Sequence, residues 1–303
     1  MESEVEYLHF CDDQLNKYFA VYNIKEKFII KYDMPYDTTY LFDSAQIKDC
    51  IYFTGGGLPS IDGHSERFFQ KAVEVRILKD GLKIEMLPNM NVSRSNHTLV
   101  AVGENLLYAI GGCNTKAQIP ACEKYDITEK KWTLCASLNE KKIWASVCVF
   151  NDRYLYSFGG STNLKPKESN LIEYLDIEDK TAILWTKVEL KEGKELWPRC
   201  FFMGCLQVEP NCILLFGGLV GNNEVDDTYY FDPIEKVITK GPKLEGKDGF
   251  YRTKPVISGK EVMAVGCNEG ELHVYDITDK KWLLIKKDKW NPDIAFKVKA
   301  ATV

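Results

Sequence analysis

One string constrains this chain more than any other. Tyr-Asp-Ile-Thr-acid-Lys-Lys-Trp runs from Tyr125 to Trp132 and again from Tyr275 to Trp282. The offset of 150 residues divides into three equal steps. A period of about 40–50 residues marks units that cannot bury their faces alone and must stack on neighbours. A second signal keeps the same beat. Apolar stretches end in paired glycines at Gly55-Gly56, Gly111-Gly112, Gly159-Gly160 and Gly217-Gly218, with a lone Gly266 continuing the series. At that spacing 303 residues hold six units.

The segments between glycines read as short strands. Leu99 to Val102, Leu106 to Ile110, Ser146 to Phe150 and Ile213 to Phe216 are rich in β-formers and bounded by turn residues such as Gly103-Glu104-Asn105 and Asn151-Asp152. No window keeps a 3.6-residue apolar period, which argues against helices. Each unit offers four strands, a to d. The frame predicts blades at residues 38–90, 94–139, 143–190, 198–245 and 250–290. An N-terminal piece, residues 4–34, carries three strands that match b, c and d. Residues 293–303 supply one more, and together these make a first blade from both chain ends. Such a ring leaves no exposed sheet edge. The expected fold is an all-β, six-bladed propeller in a single domain, with four antiparallel strands per blade.

Composition narrows the function. A net charge of −5 lacks the basic stripe of a nucleic-acid binder. No run of 18 apolar residues predicts a membrane span, and the acidic start MESEVEYLHF lacks a signal peptide's charged and apolar regions. Ten cysteines include no Cys-x-x-Cys pair, and Cys135, Cys148, Cys205 and Cys212 lie in apolar strands. Reduced thiols in a cytoplasmic protein are expected.

An apolar strand, Gly-Gly, then Tyr, six residues and Trp resembles the Kelch repeat. Gly111, Gly112, Tyr125 and Trp132 carry the likeness best. Gly159, Gly160, Tyr174 and Trp185 follow with a longer turn, and Gly217, Gly218, Phe231 and Val237 with weaker aromatics. The second unit keeps Gly55, Gly56 and Val75, the sixth Gly266, Tyr275 and Trp282, and the first only Tyr22 and Phe28. The twin strings themselves read as c–d hairpins whose rings fill the space between sheets. The resemblance implies a Kelch-type propeller. It further implies a protein-interaction platform, often the substrate-recognition part of a ubiquitin ligase adaptor. Such adaptors carry a BTB domain, and none is expected ahead of the first blade here.

In Kelch propellers that bind peptides, the d–a and b–c loops of one face meet the partner. Mapped here, Tyr40, Asn96, Trp144, Phe201 and Arg252 stand near the start of each strand a, with Arg94, His97, Arg199 and Tyr251 beside them. His64, Arg67, Asn114, Asn163, Asn222, Asn223, Asn268 and Glu269 follow the glycines on the b–c side. Aromatics with a few arginines are what binding hot spots prefer. The expected ligand is an extended acidic or polar peptide, with Arg252 as its main anchor.

Catalysis is the weaker expectation. Some Kelch-type propellers are copper oxidases or a sialic-acid epimerase, yet His9, His64, His97 and His273 lie in different units without metal-ligand spacing. His9 and His273 sit in apolar strands, where a hydrogen-bonded structural role is common. No Gly-x-Ser-x-Gly or phosphate loop occurs. No metal or cofactor is expected. An architectural role, in a cytoskeletal assembly for example, is the remaining alternative. Leu58-Pro59-Ser60-Ile61 and the stretch to Phe68-Phe69 would be its contact arm.

Overall fold

The computed structural model describes residues 7–11, 18–25, 28–33, 40–58, 67–78, 81–115, 117–162, 169–198, 200–250, 254–266 and 271–286. It is a six-bladed β-propeller. Blade 1 contributes Tyr7–Cys11, Tyr18–Asn23 and Phe28–Asp33, paired in chain order. Its expected fourth strand, within residues 293–303, lies outside the described residues. Blade 2 comprises Tyr40–Ile47, Cys50–Leu58, Ala72–Leu78 and Gly81–Leu87. Blade 3 comprises Thr98–Val102, Leu106–Ile110, Cys122–Asp126 and Lys131–Cys135. In blade 4 the strands are Ser146–Phe150, Tyr154–Phe158, Ile172–Asp176 and the short Thr186–Lys187. Blade 5 has Gly204–Glu209, Cys212–Phe216, Thr228–Asp232 and Val237–Lys240, with a small hairpin (Leu219–Val220 and Asn223–Glu224) in its b–c loop. Blade 6 has Val256–Ser258, Glu261–Val265, Leu272–Asp276 and Lys281–Ile285.

Because strand side chains alternate between faces, each sheet buries both faces against its two neighbours. The core is therefore divided among the seams between blades. Phe19, Phe53 and Val75 join blades 1 and 2, while Tyr52, Leu107 and Trp132 join 2 and 3. Tyr108, Leu155 and Trp185 join 3 and 4, and Phe158, Trp197 and Phe231 join 4 and 5. Phe216, Tyr275 and Trp282 join 5 and 6. Leu8, Val265 and Val274 close the ring between 6 and 1.

The repeated strings lie in two of these seams. Tyr125 faces Trp132 across the c–d pair with ring centroids 5.0 Å apart, and Tyr275 faces Trp282 at 4.9 Å. Each indole then reaches the preceding blade. Trp132 Nε1–H donates to the Pro88 carbonyl at 2.9 Å, and Trp282 Nε1–H to Thr228 Oγ1 at 3.0 Å. Three aromatic assignments move by one residue. Leu175, not Tyr174, holds the buried place of Tyr125 in blade 4. Tyr174 points to the opposite face and stacks on Tyr156 at 5.3 Å. Ile238 replaces Val237 opposite Phe231, and Ile29 replaces Phe28 opposite Tyr22. A single-residue slip exchanges the two faces of a strand.

The glycine pairs clasp one blade to the next. Gly56, Gly112, Gly160 and Gly218 donate their N–H groups to the carbonyls of Arg94, Lys142, Cys200 and Asp248 at 2.8–3.0 Å. Gly112 has φ of 96°, and a Cβ there would sit 2.6 Å from the Ser95 carbonyl oxygen. Gly112→Ala is expected to lose about 2 kcal/mol or more through strain and overlap. Gly103→Ala, with φ of 55° and open space around its Cβ, carries the strain alone. Urea midpoints of the two variants separate the terms, and equal midpoints would refute the clasp.

Candidate functional site

The d–a and b–c loops share one face, since neighbouring strands run antiparallel. Its inner rim is built by a backbone relay. Asn96 N–H donates to the Leu41 carbonyl at 2.9 Å, and Trp144 N–H to that of Asn96 at 3.1 Å. Phe202 N–H donates to the Trp144 carbonyl at 3.3 Å, and Phe250 N–H to that of Phe202 at 2.8 Å. Equivalent residues of five consecutive blades are thereby linked around the central axis.

Four relay residues pay for this arrangement in conformation. Leu41, Asn96, Trp144 and Phe202 have φ of 65°, 53°, 60° and 61°. Bulky residues seldom adopt the left-handed region, and each such residue costs about 1–3 kcal/mol. The rim side chains lie around a cavity of about 390 Å³ whose walls include Leu41, Asn96, Trp144, Phe202, Met203 and Phe250. Trp144 packs on Phe201 and Phe202 with centroids at 5.4 and 5.0 Å, and its Nε1–H donates to Asn96 Oδ1 at 2.7 Å. In the floor, Lys254 Nζ lies 2.7 Å from Asp43 Oδ2, which also accepts Leu99 N–H at 2.7 Å. A second cavity of about 670 Å³ opens toward the opposite face, beside His9, Gln46 and Gln207. Val147, Cys205, Lys254 and Pro255 border both cavities.

The structure redistributes the sequence-derived candidates. Asn96 and Trp144 are rim residues. Phe202 holds the rim position in blade 5. Phe201 is buried behind it and exchanges backbone hydrogen bonds with Leu219 of the b–c hairpin. Tyr40 begins strand a of blade 2, paired with Gly57, while Leu41 enters the relay. Phe250 ends the relay in blade 6. Tyr251, Arg252 and Arg199 lie outside the described residues, as do His64, Asn163, Asn268 and Glu269. Arg67 pairs through its backbone with Leu58. Asn114 caps its own turn by accepting Ala117 N–H, and Asn222 and Asn223 are exposed on the blade 5 hairpin.

Arg94 is corrected outright. It is 0% exposed and forms a 2.7 Å ion pair with Glu123, itself 0% exposed. Its other terminal nitrogen donates to the Gly111 and Ala121 carbonyls. Glu123 also accepts the Asn91 backbone and side-chain N–H groups at 2.8 and 2.9 Å. Blade 4 repeats this lock with Asn139, Lys142 and Glu173, the Lys142–Glu173 pair lying at 2.7 Å and wholly buried. Arg94 therefore holds the loop that carries Asn96 and offers no charge to a ligand.

Two histidines are fixed as neutral structural groups. Burial lowers His9 to a pKa of about 4, against a weaker opposing hydrogen bond from Gln46. His97 is pushed well down by burial and then by Arg94. Among the described residues no group of three or more His, Cys, Asp or Glu side chains could hold a metal ion. No helix among them is long and apolar enough to cross a membrane.

A KLHDC2/KLHL20/DRC7 Kelch-repeats domain model matches residues 96–303. An F-box/kelch-repeat protein of Arabidopsis thaliana is 28% identical over 116 residues, covering 37% of this chain and 39% of that protein. The chain thus matches less than half of that relative's length.

Proposed function

This chain belongs to the Kelch-repeat family, and on that premise we propose that it is a non-catalytic recognition module binding a partner peptide at the rim of its d–a and b–c face. Family membership supports a general role in protein interaction. One observation carries the choice of face. Four of the ten described non-glycine residues with positive φ, Leu41, Asn96, Trp144 and Phe202, line one concave cavity, while the other six lie in turns between strands. Backbone strain gathers at ligand clamps more often than at neutral surface. Apolar cavities with a few convergent polar groups are the usual form of a binding site.

The role as the substrate-recognition part of a ubiquitin ligase adaptor is a finer proposal. It is supported by the F-box/kelch-repeat name of the Arabidopsis relative and by the family resemblance. An architectural role draws on a different surface. Leu134 and Ile183 are 58% and 82% exposed along the outer groove between blades 3 and 4. Contiguous exposed apolar side chains mark contact surfaces.

Affinity capture from native cells with wild type, Trp144→Ala and Ile183→Asp distinguishes the two surfaces. Rim recognition predicts that Trp144→Ala alone loses the partner, with about tenfold or greater weakening and an unchanged fold by circular dichroism. Ligase subunits among the captured proteins would support the adaptor role. Loss only with Ile183→Asp would overturn rim recognition and favour the architectural one.

A further inference from the structure

We propose that Cys148 and Cys205 form an oxidisable dithiol, a modification site that a small peroxide converts to a disulfide joining the inner strands of blades 4 and 5. The strands bring the two sulfurs together. Cys148 lies on Ser146–Phe150 and Cys205 on Gly204–Glu209, the a strands of neighbouring blades. Side-chain hydrogen bonds tie these strands at both ends. Ser146 Oγ–H donates to the Met203 carbonyl at 2.9 Å, each residue standing two before its cysteine. Beyond the cysteines, Gln207 Oε1 accepts Asn151 N–H at 2.8 Å, and Gln207 Nε2–H donates to Asn151 Oδ1 at 2.7 Å. Between these ties both cysteines are buried in the seam of blades 4 and 5. The preceding seam repeats the placement. Counting forward by the glycine spacing takes Val100 to Cys148 and Val147 to Cys205. Val100 and Val147 share the seam between blades 3 and 4. A facing pair of valines is thus replaced, one seam on, by a facing pair of thiols.

Both cysteines line the cavity of about 670 Å³, which admits a small oxidant to the seam. Cys205 also borders the rim cavity and takes the first step. Its sulfur attacks one oxygen of hydrogen peroxide, the O–O bond breaks, and Cys205 becomes a sulfenic acid with release of one water. The Cys148 sulfur then attacks the Cys205 sulfur. The S–S bond forms, the S–O bond breaks, and the Cys148 proton leaves with the hydroxyl as a second water. Two thiols and one peroxide give one disulfide and two waters, with two electrons passing from sulfur to oxygen. Burial, and then the neighbouring Cys205 thiol, push the Cys148 thiol well above its ordinary pKa, so it stays protonated until the second step. That step is intramolecular between strands already held side by side, which favours it over attack by a free thiol. Cys122 and Cys135 also face each other, but across one hairpin of blade 3, so a link there would join no two blades.

Treating the intact chain with an equimolar amount of hydrogen peroxide, alkylating the remaining thiols in denaturant and sequencing unreduced peptides tests the proposal. The expected product has two fewer free thiols and a Cys148–Cys205 link that dithiothreitol reverses. Its urea midpoint should rise by about 0.5 M or more, because the link closes a long loop in the unfolded chain. Cys148→Val and Cys205→Val, which install the residue of the preceding seam, should each abolish both the link and the rise. In Cys148→Val the sulfenic acid has no resolving thiol, and dimedone should label Cys205. Absence of that label would overturn the order of attack. Should either variant fail to fold, the link mapped in wild type still decides. All ten thiols left free, a link confined to Cys122 and Cys135, or a free Cys148 beside a sulfinic Cys205 would overturn the proposal.

Discussion

Glu123→Ala is expected to destabilise the propeller by about 3–5 kcal/mol, among the largest single-residue effects available to this chain. The substitution leaves the Arg94 guanidinium charged, fully buried and without its counter-ion. It also orphans the Asn91 N–H groups that Glu123 accepts, so the d–a loop of blade 3 loses its anchor. The double change Arg94→Met/Glu123→Leu should recover most of the loss, because an apolar pair of similar volume avoids the cost of desolvating two ions. Blade 5 already contains such a substitute, with Cys200 and Tyr229 buried at the matching positions. Blade 6 places Asp248 and His273 there, 3.6 Å apart and with the order of acid and base reversed. Chemical denaturation of wild type, both single variants and the double variant forms a complete cycle. A double variant no more stable than Glu123→Ala would show that the charges hold the loop in a way apolar packing cannot.

That lock was legible only in part. Glu123 and Glu173 are acids at the second position of otherwise well-patterned c strands, and they stand 29 and 31 residues after the basic residues they meet. An Asn three residues before each basic residue completes the pattern. The preference of binding hot spots for arginine put Arg94 among the candidates, and the general preference of charge for water assigned it to the surface. Comparing equivalent positions between blades would have exposed the pairing, because the partners change together from one blade to the next. By contrast, the glycine pairs and the Tyr–Trp hairpins were legible without any partner. Their constraint is local: a left-handed turn for one, and a large ring at fixed offset for the other.

The rim shows why a frame can be right while a residue is wrong. Counting back fifteen residues from Gly111, Gly159 and Gly217 reaches Asn96, Trp144 and Phe202, all members of the relay, whereas the candidate named in blade 5 was Phe201, one residue early. The same count from Gly55 reaches Tyr40, one residue short of Leu41. Strands a and b of blade 2 are longer and turn through Lys48 and Asp49, so their hairpin has a different length. Register within a hairpin depends on its turn, and side-chain facing changes with every residue. Lys254 and Asp43 were invisible for a different reason. They meet across 211 residues of sequence, in blades that flank blade 1, and no local pattern announces such a pair.

Acid should weaken this fold between pH 6.5 and about 4, in part through His9. Its imidazole is buried, with Nδ1 3.1 Å from Gln46 Oε1 and Nε2 3.0 Å from Ser44 Oγ. Those partners suit a neutral ring that donates from Nδ1 and accepts at Nε2. Burial, assisted by the Lys254 charge and opposed by Gln46 and Asp43, lowers its pKa from 6.5 to about 4. The unfolded chain therefore takes up a proton in this interval that the folded chain refuses. Stability from His9 is complete above pH 6.5 and declines as pH falls, with about 3 kcal/mol lost once pH passes the folded value. His97, with Nε2 2.8 Å from Thr54 Oγ1 and its pKa also lowered by burial, acts in the same direction. Most carboxylates titrate lower, and their contribution cancels when wild type is compared with His9→Gln. Urea denaturation at pH 7.0, 6.0, 5.0 and 4.5 should show a shallower decline for that variant, even though its stability at pH 7.0 is lower. Parallel declines would mean that His9 titrates alike in the folded and unfolded chains, and that the wall of the cavity beside it admits enough water to hydrate an imidazolium.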